Sequence, residues 1–364
     1  MQASGIPFFC FGTLAFLVLF LPARVAAAGG AVEPYEFDCQ TRNGDRPFHF
    51  GGAPVQYIHV PKAAGTTIQA FMRALARKLK LHYKGIDDMC KIPEQWQPTL
   101  SKGHVYAGHR PILWCSSRQE TRPFNIISLR EPISAVRSLY DYIATFKEKH
   151  VGMKELSRKY KAIESRLRAQ GIPTNQMLEH ALEDALVWDN VTDFIQLRFL
   201  LPSGCPVDVA PRISGSNAKL ALSVALKNLI AVDVVVMTES VGKDLLPQLR
   251  FHATRLSSQL HMPAASNRAK REKQRLSDAA IAKIFGGRAS FEGIDLDTHL
   301  YDFGKRIAKA RVAHARRCSA SGGDSCSGRC VINVTKLELE LLGMPWPADA
   351  CRALATQKAT VLLP

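Results

Sequence analysis

One stretch of the chain combines residue types that bind phosphate groups. Between a β-type run and a helical run the sequence is Val60-Pro61-Lys62-Ala63-Ala64-Gly65-Thr66-Thr67. A loop that precedes a helix can direct backbone N–H groups and the positive end of the helix dipole at an anion. Lys62 adds positive charge, and Gly65 permits close approach of the backbone. Walker A spacing is absent, which argues against an ordinary ATPase or kinase. Because a strand, a turn and a helix with a lysine also occur together without a ligand, this pattern alone leaves phosphate binding open.

A second group of anion-binding residue types follows another β-type run. Residues 126–129 lead into Arg130, and Ser138 lies on the helical run that comes next. In an open α/β sheet, ligands bind beyond the carboxyl ends of the strands, where we expect Arg130. Its guanidinium fork and the Ser138 hydroxyl suit a second phosphate group. The alternative is a surface ion pair between Arg130 and Glu131, with Ser138 uninvolved.

These residues require a framework that brings strand ends together. The sequence predicts strands at 55–60, 124–129 and 232–237, and helices at 66–81 and from 133 to about 146. Strands that alternate with helices predict an α/β fold. We expect a P-loop-like, three-layer arrangement with a central, mainly parallel sheet flanked by helices.

The helix expected at 66–81 is amphipathic. Helical spacing places five apolar residues on one face: Ile68, Phe71, Met72, Leu75 and Leu79. Because most of the basic residues lie outside this face, the helix is expected to pack on the sheet with its cations in solvent. A second charged helical stretch, 147–169, is expected to be a solvated surface.

The composition indicates a globular protein with an anionic partner. The chain has 364 residues and a net charge of +16, with 46% hydrophobic and 22% charged residues. This balance argues against disorder and fibrous repeats. The positive charge fits a nucleotide, an anionic lipid or an acidic polysaccharide. Nucleic acid would also fit the charge, but the sequence has no basic motif interleaved with aromatic residues, so we expect no nucleic-acid partner.

The N-terminal segment predicts entry into the secretory pathway. Residues 7–22 carry no charge, and Ala26–Ala28 resembles a signal-peptidase site. The apolar run is shorter than the about 20 residues that span a bilayer. Residues 1–28 are therefore expected to be a cleaved signal peptide or a short signal anchor, and the sequence leaves open whether a single membrane anchor remains.

The cysteines and the glycosylation sequences fit the same compartment. Of the nine cysteines, all except Cys10 lie beyond the N-terminal segment. An even number of cysteines in an oxidising lumen predicts disulfides, without fixing how they pair. Asn190 and Asn333 each begin an Asn-x-Thr sequence that is a candidate N-glycosylation site.

The order of these motifs resembles that of sulfotransferases that use 3′-phosphoadenosine 5′-phosphosulfate (PAPS). Residues 61–67 are similar to their 5′-phosphosulfate loop, and 126–140 (IISLREPISAVRSLY) to their 3′-phosphate site. In particular, the chain resembles Golgi carbohydrate sulfotransferases of the heparan sulfate 2-O-sulfotransferase and uronyl type. Further similar stretches are the Gly-His segment at 102–106, the Gln-x-Arg-Phe-Leu run at 193–200, the late strand and Thr-Glu turn within 226–246, and the closing helices within 276–303.

The resemblance implies four parts of the chain. Residues 1–28 are the signal segment, 29–52 a stem or linker, 53–312 the sulfotransferase domain, and 313–364 a Cys-rich appendage. The residues at 63–64 depart from the family pattern, in which a Thr and a second small polar residue are frequent. The stretch 153–174 and the Cys-rich tail have no counterpart in the family.

The resemblance also implies the roles of individual residues in sulfuryl transfer from PAPS to a hydroxyl group of a glycan. Residues that hold the 5′-phosphosulfate would be Lys62, Ala63, Ala64, Gly65, Thr66 and Thr67, with Lys62 also stabilising charge on the leaving phosphate. Arg130 and Ser138 would hold the 3′-phosphate. A histidine suits the base because its pKa lies near the working pH. We expect His104 in this role, with His109 as a rival and His59 as a structural residue. The reaction needs no metal.

A basic stretch at 267–273 has two interpretations. As a solvated loop it would have no specific role, which is usual for runs of charge. Alternatively, Arg268 and Lys270 could contact the nucleotide or steer an anionic polysaccharide.

Two classes of function follow. The first is a PAPS-dependent carbohydrate O-sulfotransferase of the secretory pathway, expected in the Golgi lumen, with an acidic polysaccharide or glycan as acceptor. The alternative is a non-catalytic protein that binds heparin-like polyanions through its +16 charge alone. Binding of a glycan would need neither the loop at 61–67 nor Arg130, Ser138 and His104, so these residues favour the enzyme. The acceptor sugar and the oligomeric state stay open.

Overall fold

The structure is a computed structural model. It describes residues 32–39, 52–61, 63–86, 102–108, 112, 123–135, 138, 154–173, 176, 195–201, 216–252, 262, 292–320 and 328–345. The expected signal segment, 1–28, lies outside the described residues, as do Lys62, His109, Arg268 and Lys270. Within the described ranges, no helix combines the length and the apolar composition that a membrane crossing requires.

A five-stranded parallel sheet forms the centre of the fold. Its strands are β2 (Val55–Ile58), β3 (His82–Ile86), β4 (His104–Gly108), β5 (Phe124–Leu129) and β6 (Val234–Met237). They lie in the order β3-β4-β2-β5-β6, and every neighbouring pair is parallel. All residues of β2, β5 and β6 are buried, which is why these strands are almost continuously apolar in the sequence. The strand β1 (Val32–Asp38) is not part of this sheet.

Helices flank the sheet. The described helices are α1 (Gly65–Lys78), α2 (Lys154–Ala169), α3 (Ile195–Phe199), α4 (Ser216–Ala231), α5 (Val241–His252), α6 (Glu292–Ala320) and α7 (Lys336–Gly343). A short 3₁₀ turn, Thr238–Ser240, joins β6 to α5. Together with the parallel sheet, these helices confirm the predicted α/β class.

Alternating strand residues build two apolar clusters. On β2, Tyr57 belongs to a cluster with α1 and α5, whereas Ile58 belongs to a cluster with α4 and α6. Successive side chains of a strand point to opposite faces, so both faces of the sheet are covered by helices. The apolar face predicted for α1 is confirmed, because Ile68, Phe71, Met72 and Leu75 are all buried.

A second, two-stranded sheet joins distant parts of the chain. β1 pairs antiparallel with β7 (Arg329–Thr335), and a disulfide links Cys39 to Cys330 across a sequence separation of 291 residues. Every second residue of β7 is buried, and those residues pack in the same cluster as α4 and α6. The described residues from Val32 onward belong to one compact unit.

The expected domain boundaries run through these elements. Residues 29–52, expected as a linker, contribute β1. Helix α6 continues across the boundary expected at 312, and β7 and α7 lie in the expected appendage. Buried apolar residues on β7 and α7 account for this arrangement, since β7 packs against α6 and α7 packs against α4 as part of the main core.

Candidate functional site

The carboxyl ends of the central strands meet at one edge of the sheet. Ile58 at the end of β2 lies beside Gly108 of β4 on one side and Ile127 of β5 on the other. β3 and β4 lie to one side of β2, and β5 and β6 to the other, so the direction of the strand order changes at β2. Crevices at such switch points are where open α/β sheets bind ligands. The segments after β2 and β5, which contain the predicted residues 63–67 and 130, both begin here.

The segment after β2 turns sharply into α1. Ala64 has a positive φ of 58°, an uncommon conformation for a residue with a side chain, and α1 begins at Gly65. The carbonyl oxygen of Ala64 accepts from Thr67 N and Ile68 N, both at 3.1 Å. The first turn of α1 contains no acidic residue, and no side chain caps it. No acidic side chain in the first turn therefore neutralises the positive end of this helix. A helix start of this kind can bind an anion.

The residues predicted in this turn differ in exposure. Ala63 and Gly65 are buried, Ala64 and Thr67 are half-buried, and Thr66 is exposed. The Thr66 hydroxyl is thus accessible to a ligand from solvent. The side chain of the buried Ala63 is in the apolar core, and its backbone N–H donates to the carbonyl oxygen of Val60 at 3.2 Å.

His59 packs against the start of α1. A β-carbon on Gly65 would lie 1.5 Å from His59 Nε2, so only glycine leaves room for the imidazole ring. Nδ1 of the ring is 3.1 Å from Nε2 of Gln69, and the ring stacks on Tyr57 at 5.8 Å. His59, expected to be structural, thus lies at the same edge of the sheet as the loop.

A hydrogen-bond network ties the loop to β5. Ser128 Oγ donates to the carbonyl oxygen of Ala63 at 2.5 Å, and Ser128 Oγ is 2.7 Å from the hydroxyl of Tyr57. All three residues are fully buried. Burial raises the pKa of Tyr57 well above its usual range, so its phenol stays neutral and keeps its proton for hydrogen bonding. The loop is therefore fixed directly to β5, the strand that leads into Arg130.

Arg130 is held by side chains from other elements. Gln196 Oε1 accepts from Arg130 N at 2.8 Å, and Gln196 Nε2 donates to Arg130 O at 2.7 Å. The carboxylate of Asp297 accepts from Gln196 N and Leu197 N at 3.1 and 2.9 Å. The backbone of Arg130 is thus fixed through a buried glutamine and a buried aspartate.

The helical run after Arg130 begins with a carboxylate cap. Glu131 accepts from Ile133 N at 3.0 Å and from Ser134 N at 2.6 Å. Residues 132–135 are helical, and Ser138 is a half-buried helical residue further along. Glu131 therefore caps this turn with its carboxylate, as acidic residues commonly do at helix starts.

The structure does not bring His104 to this edge. His104 is the first residue of β4 and pairs with His82, the first residue of β3, so it lies at the amino end of the sheet. The four residue-to-residue steps from His104 to Gly108 separate it from the other edge by roughly 13 Å. Its Nδ1 is 3.0 Å from the carbonyl oxygen of Lys102, and its ring stacks on those of His82 and Tyr106. The position of His104 does not support its expected role as the base for a ligand held at 63–67.

The remaining predicted site residues lie outside the part of the chain that the structure describes: Lys62, the rival base His109, and Arg268 and Lys270 of the basic stretch. The sequence alone did not predict the roles of Ser128 and Gln196. The serine in β5, a buried strand with four apolar residues out of six, was a signal, because a buried hydroxyl needs a hydrogen-bond partner.

One group of metal-ligating residue types occurs among the described residues. The ligand atoms of Cys39, His314 and Cys330 lie within 4.8 Å of one another. The two sulfurs are joined in a disulfide and are not thiolates, which are the form of cysteine that binds metals. This group therefore serves here as a covalent link.

No model of a known protein family matches the chain, and no curated protein matches it.

Proposed function

We propose that this chain is a PAPS-dependent carbohydrate sulfotransferase with a P-loop-like nucleotide site. The proposal depends on one observation above all: the turn into α1 and Arg130 follow neighbouring parallel strands at the switch point of the sheet. A donor with phosphate groups at two positions needs two anion sites that are close and rigidly related. The hydrogen bond from Ser128 to Ala63 supports this relation, because it joins β5 to the turn.

Each part of the donor has a proposed partner. The 5′-phosphosulfate lies at the start of α1, where the helix dipole, backbone N–H groups and the Thr66 and Thr67 hydroxyls bind its oxygens. Lys62 stabilises the charge that develops on the phosphate oxygen as its bond to sulfur breaks. Arg130 and Ser138 bind the 3′-phosphate.

The proposed sulfuryl transfer needs one base, which accepts the proton of the attacking hydroxyl group. A glycan hydroxyl gives its proton to the base, its oxygen bonds to sulfur, and the bond between sulfur and the phosphate oxygen breaks. The sulfated glycan and 3′-phosphoadenosine 5′-phosphate leave. The base must lie at the carboxyl edge of the sheet, next to the sulfuryl group.

We propose His109 as this base in place of His104. Gly108, the last residue of β4, lies beside Ile58 at the carboxyl edge, and His109 is the next residue in the sequence. His59 is less suitable because its ring packs on Gly65 and its Nδ1 contacts Gln69.

The acceptor is proposed to be an acidic glycan, in keeping with the net charge of +16. The Cys39–Cys330 disulfide supports a location in the oxidising lumen of the secretory pathway. Arg268 and Lys270 remain proposed contacts for the nucleotide, and an unchanged PAPS affinity of the double alanine variant would exclude that role.

Transfer of ³⁵S from labelled PAPS to a panel of desulfated polysaccharides tests the proposal. We expect incorporation by the wild-type protein, a loss of about 10- to 100-fold in kcat/KM for Arg130→Ala, and a loss of about 10²- to 10⁴-fold in kcat for His109→Ala. His104→Ala is the matched histidine control and should retain activity. Salt-sensitive glycan binding without PAPS binding would contradict the proposal and favour the non-catalytic polyanion-binding protein.

A further inference from the structure

We propose that Gln196 is a positioning residue that gives the site its preference for a nucleotide with a 3′-phosphate. The inference rests on the proposed function and deepens it. Gln196 acts through Arg130 and need not touch the ligand.

The side chain of Gln196 contacts the backbone of Arg130 directly. The two hydrogen bonds, at 2.8 and 2.7 Å, join one side-chain amide to both the N–H and the carbonyl oxygen of a single residue. An amide side chain offers a donor and an acceptor side by side in one plane, whereas an ionised carboxylate only accepts. The glutamine thus bonds to both backbone groups of the first residue after β5, which ends at Leu129.

The backbone just before Arg130 is also held by a side chain. The hydroxyl of Thr238 donates to the carbonyl oxygen of Leu129 at 2.9 Å. Side chains from two separate elements therefore hold the chain where it leaves the sheet. Because backbone angles restrict side-chain rotamers, fixing residues 129 and 130 restricts the directions open to the guanidinium group.

Gln196 is itself held in place. It is 1% exposed, and Asp297 of α6, which is 6% exposed, accepts from the first N–H groups of α3. A carboxylate at a helix start is favourable electrostatically and fixes where that helix begins. The series Asp297, Gln196, Arg130 thus connects α6 to the proposed 3′-phosphate site.

The chain contains a matched control. Gln248 of α5 makes the same pair of contacts with Val235 of β6: its Oε1 accepts from Val235 N at 3.2 Å, and its Nε2 donates to Val235 O at 2.8 Å. Gln248 is also 1% exposed. A Gln→Met change at either position removes both of these hydrogen bonds but keeps most of the side-chain volume. Any loss of stability from removing such a pair of hydrogen bonds is therefore expected in both variants.

The test measures the dissociation constants of 3′-phosphoadenosine 5′-phosphate and adenosine 5′-phosphate by calorimetry. We expect the wild-type protein to prefer the first nucleotide by about 100-fold, as a charged bidentate contact allows. Gln196→Met should reduce this preference about tenfold with little change in the affinity for adenosine 5′-phosphate. Gln248→Met should leave the preference unchanged.

Other results overturn the inference. If Gln196→Met retains the wild-type preference, Gln196 does not position Arg130, although the proposed function stands. If the wild-type protein itself shows no preference, the proposed 3′-phosphate site and the inference both fail. Should Gln196→Met not fold, Gln196→Glu provides the same comparison, because it retains an acceptor for Arg130 N and removes the donor to Arg130 O.

Discussion

The imidazole ring of His59 occupies the space that a side chain on Gly65 would need. A β-carbon at residue 65 would lie 1.5 Å from Nε2 and 2.1 Å from Cδ2 of that ring. The last residues before the turn and the first residue of α1 are therefore in direct contact. The glycine in the predicted phosphate loop is required by this contact within the protein, in addition to any close approach of a ligand.

Gly65→Ala is expected to displace the His59 ring and to lower the free energy of unfolding by about 1–3 kcal/mol, the usual effect of overpacking a buried site. Binding of 3′-phosphoadenosine 5′-phosphate should weaken as well, because the ring borders the start of α1. Chemical denaturation and calorimetry measure the two effects.

Two variants control for the change at residue 65. Gly85→Ala places a β-carbon 3.6 Å from the Tyr83 ring, an ordinary contact, and should have less effect. Adding His59→Ala to Gly65→Ala should recover part of the stability, since the two sites are coupled. Strict additivity of the two changes would contradict the contact.

Ser128→Ala is expected to lower the free energy of unfolding by about 1–3 kcal/mol, because it leaves the buried carbonyl oxygen of Ala63 with only the longer contact from the Tyr57 hydroxyl, at 3.5 Å. Nucleotide affinity should fall too, since the turn into α1 loses its link to β5. Ser223→Ala is the matched control: this serine is also buried and donates to the carbonyl oxygen of Leu341 at 2.7 Å. Equal loss of affinity in both variants would show that the effect is not local to the turn.

Asp244 is expected to make stability depend on pH. Burial raises its pKa despite hydrogen bonds from Ser240 Oγ and Met237 N. A carboxyl group whose pKa is raised by folding stabilises the protein below its unfolded pKa of about 3.9, and this contribution is lost as the pH rises through the folded pKa. The stability of the wild type relative to Asp244→Asn should therefore decrease as the pH rises from about 4.

Urea denaturation of both proteins across this pH range measures the difference. Ser240→Ala removes a hydrogen bond that lowers the pKa of Asp244, so the decrease should extend to higher pH in that background. Parallel stability curves for the wild type and Asp244→Asn would be inconsistent with a raised pKa.

Removing the disulfide with the double change Cys39→Ser and Cys330→Ser is expected to lower the free energy of unfolding by about 2–5 kcal/mol. The disulfide closes a loop of 291 residues in sequence separation, so its loss frees a long segment of the unfolded chain. Arg329→Ala on the same pair of strands is the control. Its ion pair with Glu36 is exposed on both sides, so the change should cost at most about 1 kcal/mol. A loss for the cysteine variant as small as that of the control would contradict the expectation.

Local periodicity predicted the central elements of the fold. The helical spacing of Ile68, Phe71, Met72 and Leu75 identified the buried face of α1, and the apolar run at 124–129 matches β5. These features depend on neighbours in the sequence. The run at 55–60 was predicted two residues too long, because β2 ends at Ile58 before the chain turns toward Pro61.

Contacts between distant residues were not predictable in the same way. The contact between Gln196 and Arg130 joins residues 66 apart and depends on the order of the strands. To predict which end of the sheet carries His104, one would have to know that β4 begins at this residue rather than ends there. The pairing of β1 with β7 joins strands at opposite ends of the described part of the chain. The local sequence of either strand does not indicate which strand is its partner.

The pairing of β1 with β7 also affects how the protein is made. A ribosome adds about 5–20 residues per second, so roughly 15–60 s pass between the synthesis of Cys39 and that of Cys330. During that interval the partner strand of β1 is not yet made, and Cys39 cannot form its disulfide with Cys330. The native link between Cys39 and Cys330 therefore forms only after translation has passed β7.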